Sequence, residues 1–347
     1  MNSRERQLAA IRHEPTDRIS VDVITIDDPA AIASHLQIES SEVMQRLGID
    51  GRLMSAPYVG KLREPEGGVT FTEWGTPDTG DYGTARSYPF TSSTTIAEVE
   101  KFPWPEVKDY DFNAAAETAR ALAPDYAVRG PYWKPLFCCA CDLFGMEEAM
   151  IKMATERAVF EAVVDRAFHH AAEFYVRMLD ACGDHLHILW LGDDFATQRG
   201  LMFSPTDWRR FFKARYAKLF AIAKQRGKFV WFHSCGDITA VLPDLIDIGL
   251  DVWETVQLHA LPLSPAELKR EYGKYLTFFG AINSQCLPFA TPAAVRQEVE
   301  SCIEMLGRNG GYICAPDHQI KPDVPAANVV ALYDTARAFR RPGYTRD

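Results

Sequence analysis

No apolar stretch in this chain of 347 residues reaches the roughly 18 to 20 needed to cross a bilayer. The opening Met1-Asn-Ser-Arg-Glu-Arg-Gln7 is too polar for a secretory signal, so the sequence predicts a cytoplasmic protein. Lysine and arginine form no cluster and the formal net charge is −10, which argues against nucleic acid or an anionic membrane as partner. Small molecules and other proteins remain. A Gly-rich G-x-G-x-x-G phosphate turn is missing, which disfavours a dinucleotide-binding sheet. The two separated C-x2-C pairs of a zinc ribbon are missing as well. Eight cysteines (138, 139, 141, 182, 235, 286, 302, 314) are too irregularly spaced for a disulfide framework. Adjacent cysteines chelate poorly, so Cys138-Cys139-Ala140-Cys141 reads as packing.

What is present is a large apolar complement, 47% of residues with seven Trp and twenty Phe, enough for a substantial core. Hydrophobic periodicity alternates between strand and helix along most of the chain. Strand candidates are 18–24, 51–57, 127–132, 187–192, 229–232, 252–258, 276–282 and 311–315. Helices are predicted over 3–13, 40–47, 113–123, 146–179 (as two helices), 205–225, 238–248, 264–272, 291–306 and 326–339. Ser204 before Pro205 gives an N-cap with proline in the first turn, and Gly227 closes that helix. About eight strands, each followed by a helix, predict one (β/α)8 barrel domain over 1–347. Residues 59–111 interrupt the alternation with Gly, Pro, Thr and aromatics. They carry too many large apolar residues to be a solvated linker and read as an insert or lid.

Phe229-Val-Trp-Phe-His-Ser-Cys-Gly236 organises the chemistry. Side chains two apart on a strand point the same way, so His233 and Cys235 emerge together at the strand's C-terminal end, where such barrels place their reactive groups. This pair is half of a zinc site, against the plainer alternative of a buried histidine beside an inert thiol. Other strand ends bring Asp193, Asp194 and Gln198, then Glu254 and Gln257, then Asn283, and finally Cys314 to His318. Asp193 and Asp194 are candidates for acid, base, ligand or helix cap. Glu254 alternates with Val252 and Val256, so it points inward as a ligand, a general base or half of a structural ion pair. Cys314 and His318 are the two choices for a third ligand. Cys314 is the better ligand by chemistry, but it lies within the strand, where a thiol is often simply buried.

The ordered set Phe-His-Ser-Cys-Gly-Asp-Ile (232–238), Leu-Pro-Asp-Leu-Ile-Asp-Ile-Gly-Leu-Asp-Val (242–252), Phe-Phe-Gly-Ala-Ile-Asn (278–283) and Gly-Gly-Tyr-Ile-Cys-Ala-Pro-Asp-His-Gln (310–319) resembles the uroporphyrinogen decarboxylase superfamily. Within it, the sequence is most similar to the zinc- and corrinoid-dependent methyltransferases. The resemblance implies a (β/α)8 barrel, zinc held by His233 and Cys235, and an Asp-Asp and Gln motif at Asp193, Asp194 and Gln198. Alignment of Ala315-Pro316 favours His318 as the third ligand. The implied activity is methyl transfer between a small methylated substrate and the corrinoid of a separate, transiently bound protein. The chain lacks the Asp-x-His-x-x-Gly segment of cobalamin-carrying relatives. Asp194 or Glu254 is expected to handle the proton, with Asp193, Gln198, Gln257 and Asn283 lining the substrate. Two departures from the pattern bear on the substrate. The Arg-Gln-Ala-Gly-Arg segment that grips porphyrin carboxylates is replaced here by Asp17-Arg-Ile-Ser-Val-Asp22, and the cysteine of coenzyme M methyltransferases by His318. An oxygen-bound methyl group, as in an aryl methyl ether, is the expected donor, with the aromatic-rich insert as the pocket for its ring. Decarboxylation and non-enzymatic binding of a corrinoid or its carrier are the alternatives.

Overall fold

The computed structural model describes residues 1–78, 87–133 and 135–340. Eight parallel strands form the central sheet: β1 Ser20–Val21, β2 Gly51–Leu53, β3 Ala127–Trp133, β4 Ile188–Gly192, β5 Phe229–His233, β6 Val252–Val256, β7 Thr277–Ile282 and β8 Tyr312–Pro316. Their spatial order follows the chain from β2 to β8, and β1 pairs with β8. The Asp50 amide donates to the Val21 carbonyl at 2.9 Å across the remaining seam, giving a nearly closed barrel. The expected fold is the one observed.

Alternation along the strands divides the core into two. Ile188, Trp190, Trp231, Val252, Phe279, Ile313 and Ala315 point into the barrel, and Ala10 and Ile11 of the first helix, Ser3–Ile11, close its N-terminal end. Intervening residues such as Leu189, Val230, Phe232, Trp253, Phe278 and Cys314 face the surrounding helices. Register then fixes the reactive end, because Gly192, His233 and Glu254 stand side by side across β4, β5 and β6.

Several boundaries differ from the periodicity reading. The first two strands are shorter than 18–24 and 51–57, and the helix expected over 238–248 is Leu242–Asp247. The 146–179 region is two helices as predicted, Met146–Thr155 and Arg157–Cys182. Helices Pro29–Leu36, Ile96–Lys101 and Phe137–Phe144 have no counterpart in the sequence reading. The Phe137–Phe144 helix holds Cys138, Cys139 and Cys141, all buried, in agreement with packing.

The insert spends its aromatics on the helical layer. Trp74 lies 4.7 Å from the His170 ring of helix Arg157–Cys182, and Phe90 lies 5.1 Å from Phe144. Phe102 and Trp104 complete the cluster. A cavity of about 590 Å³ within the insert is lined by Lys61 to Arg63, Phe71, Tyr88 and Phe102, and shares no residue with the strand-end cluster described below. Residues 79–86 of the insert lie outside the described ones. Among the described residues, no helix is long and apolar enough to cross a membrane.

Candidate metal centre

At the C-terminal end of the barrel, donor atoms of Asp194, His233 and Cys235 lie within 4.8 Å of one another. His233 ends β5 and Cys235 follows two residues later, with Sγ 3.5 Å from His233 Nε2. The turn needs Gly236: its φ is +79°, and a Cβ there would come within 2.4 Å of the Thr197 carbonyl oxygen. Asp194 Oδ1 lies 3.7 Å from His233 Nε2 and accepts the Cys235 amide at 2.7 Å. Ordinary zinc bond lengths put the S···N and N···O edges of a tetrahedron at about 3.5 and 3.4 Å. The observed 3.5 and 3.7 Å therefore suit a zinc-sized cation with one position left for a ligand.

Glu254 orients this group from beneath. Its Oε1 accepts from His233 Nδ1 at 2.6 Å, while the Trp190 and Trp231 indoles donate to the same carboxylate. With its Nδ1 hydrogen so engaged, His233 presents the Nε2 lone pair to Asp194 and Cys235. Burial opposes ionisation of Glu254, but the His233 contact, the field of Arg129 and the Trp231 bond outweigh it and hold the carboxyl below its ordinary range. Burial also opposes charge on His233, yet Cys235 and Glu254 raise its proton affinity well above the usual imidazole range.

The structure gives each of the sequence candidates a place and partners. Glu254 is fully buried and its carboxylate is engaged by His233 Nδ1 and the two indoles. Asp194 belongs to the cluster. Asp193 faces away and accepts the amides of Leu136, Phe137 and Cys138 and the Tyr216 hydroxyl, so it caps helix Phe137–Phe144. Gln257 Oε1 accepts the Gly236 amide at 2.7 Å and fixes the turn after Cys235. Asn283 Oδ1 accepts the Gln285 amide at 3.0 Å, a local turn contact. Gln198 reaches His259 Nε2 at 3.3 Å. Cys314 is excluded by strand parity: it lies in the helix-facing layer, where burial raises its thiol to about 12. His318 follows the end of β8 at Pro316 with its ring 6.4 Å from that of His233, and is not among the donors that lie within 4.8 Å of one another.

Several contributors carried little signal in the sequence. Trp190 and Trp231 share the inward parity of Glu254 and were legible only as core. His259 lies on the short 3-10 turn Leu258–Ala260 after β6, with Nδ1 3.5 Å from Asp317 Oδ2. Asp317 is fully buried and its Oδ1 accepts both the amide and the hydroxyl of Ser284.

The fold aligns with a solved methyltransferase from Methanosarcina mazei at a TM-score of 0.64 and 20% identity, covering 97% of this chain and 98% of that one. A B12-independent methionine synthase from Shewanella sp. W3-18-1, solved with selenomethionine, aligns over 65% of each chain at 12% identity and a TM-score of 0.46. No curated protein matches the sequence. The uroporphyrinogen decarboxylase (URO-D) profile matches residues 85–339, nearly three quarters of the sequence, and the chain belongs to that family.

Proposed function

We propose that this protein is a zinc-dependent methyltransferase that moves a methyl group between a small methylated substrate, an aryl methyl ether for preference, and the corrinoid of a partner protein. The observation that carries the reading is the Asp194, His233 and Cys235 cluster, with His233 oriented by Glu254 and one position open. When bound there, zinc supplies Lewis acidity to the substrate heteroatom. Asp194 and Cys235 supply the negative charge that retains the cation. Glu254 keeps the His233 ring in one tautomer and one orientation. An oxygen, nitrogen and single thiolate form a harder donor set than two thiolates, and this favours an ether or phenol over a thiol. The corrinoid would arrive on a separate protein, in keeping with the missing Asp-x-His-x-x-Gly segment.

Decarboxylation of a porphyrin fits less well, since a polycarboxylate needs several fixed cations. Arg18, the candidate nearest to the porphyrin-gripping segment, is bound instead to Asp50 at 2.8 Å and to the Gly48 carbonyl at 2.9 Å. Metal analysis of the purified protein, followed by a screen of methylated phenols, amines and thiols with reduced cobalamin, tests the reading. Zinc with formation of methylcobalamin from an ether is the expected result. Conversion of uroporphyrinogen to coproporphyrinogen at an ordinary enzymatic rate would overturn it.

A further inference from the structure

Asp194 and Glu254 are both committed to the metal centre, so the reaction lacks an assigned proton donor. Breaking an O–CH3 bond leaves an electron pair on oxygen, and a phenolate or alkoxide departs more readily when that oxygen is protonated. The mouth of the barrel holds one histidine built into a separate network.

His259 has a polar neighbour on each side of its ring. Its Nδ1 faces Asp317 Oδ2 at 3.5 Å, and that oxygen is buried without a hydrogen-bond partner among the described residues. Asp317 itself cannot turn away, because Ser284 fixes its other oxygen through an amide at 3.0 Å and a hydroxyl at 2.6 Å. On the far side of the ring, Nε2 meets the exposed Gln198 amide at 3.3 Å. A rotatable amide serves either state of the ring, offering nitrogen to the neutral form and oxygen to the charged one. The supporting residues adjoin the metal cluster in the chain: Gln198 follows Asp194 on one loop, Gln257 anchors Gly236 next to Cys235, and Asp317 precedes His318. Among the described residues, acidic groups near His259 are Asp317 from the end of β8 and Glu298 from helix Pro292–Leu306.

We infer that His259 is the general acid of the demethylation, positioned by Asp317 and donating its Nε2 proton to the oxygen that leaves, an inference that rests on the methyl-ether reading above. The O–CH3 bond breaks with its electron pair remaining on oxygen, and a C–Co bond forms with the pair supplied by reduced Co(I) corrinoid. The proton passes from His259 Nε2 to oxygen, so ether, Co(I) and imidazolium become phenol, methyl-Co(III) and neutral imidazole. The substrate oxygen gains Nε2 by displacing the Gln198 amide.

Leaving-group dependence separates this role from a structural one. Zinc-loaded wild type and His259→Gln would be compared for methylcobalamin formation from anisole and from 4-nitroanisole, whose nitrophenolate leaves without help. His259→Gln is expected to lose about 100-fold with anisole and less than about 3-fold with 4-nitroanisole, while retaining wild-type zinc content. Asp317→Asn, checked for an unchanged melting transition, should show the same ordering with a smaller loss. Equal losses with both ethers, or no loss with anisole, would overturn the role of His259 and leave the methyltransferase reading standing. A wild type that demethylates neither ether would overturn both.

Discussion

His233 donates its Nδ1 hydrogen to Glu254 Oε1 across 2.6 Å, and this contact aims the Nε2 of a strand-end histidine at Asp194 and Cys235. Glu254 lies beside His233 in the sheet register, so the pair is set by two adjacent parallel strands and not by a loop. Rigid elements of this kind hold a donor more closely than loops do.

Glu254→Gln keeps the volume but removes the charge. The Trp190 and Trp231 donors and His233 would then share one neutral oxygen. Zinc affinity should fall about 10- to 100-fold, measured by competition with a chromogenic chelator. An unchanged affinity would mean that the contact does not orient the ligand.

Asp193→Ala tests the reassignment of that carboxylate from substrate to scaffold. Three helix-start amides and the Tyr216 hydroxyl would lose their acceptor. The cost should be on the order of 3 kcal/mol in urea denaturation. A stable variant with impaired substrate binding would restore the original assignment.

Gly236→Ala puts a Cβ into the Thr197 carbonyl at a positive φ. The backbone strain alone should cost about 1–2 kcal/mol, and relief of the clash should displace Cys235. A lower melting temperature together with weaker zinc binding is expected. Loss of stability with full zinc affinity would show that the turn and the ligand are independent.

Acid should loosen the joint between the insert and the barrel. Burial lowers His170 to about 4, where it bonds the Pro105 carbonyl and packs on Trp74. Unfolded histidine takes up a proton below about 6.5, whereas the folded protein withholds it until about 4, so stability falls as pH drops through this window and no further beneath it. The full effect is on the order of 3 kcal/mol. His170→Asn, which preserves a donor at the Nδ1 position, should flatten the dependence of unfolding free energy on pH between 7 and 4. An identical slope in the variant would exclude His170 as the source.

The strand ends were legible because period-two alternation and abrupt polar stops mark them locally, which is how His233, Cys235, Asp194 and Glu254 were all singled out. Their division of labour was not legible. Asp193 and Asp194 are adjacent in sequence but point oppositely, and the amides that claim Asp193 lie more than fifty residues away. Alignment favours His318 over Cys314, but only the structure shows Cys314 in the helix-facing layer and the strand ending at Pro316. His259 had no local pattern, since its partners Asp317 and Gln198 come from distant strand ends.

Metal stoichiometry across single alanine variants tests the proposed ligand set of Asp194, His233 and Cys235. Asp194→Ala, His233→Ala and Cys235→Ala should each lose most of the bound zinc, while His318→Ala and Cys314→Ala retain about one zinc per chain. Loss of zinc on replacing His318, with retention on replacing Asp194, would overturn this ligand set and move the third ligand to the end of the last strand.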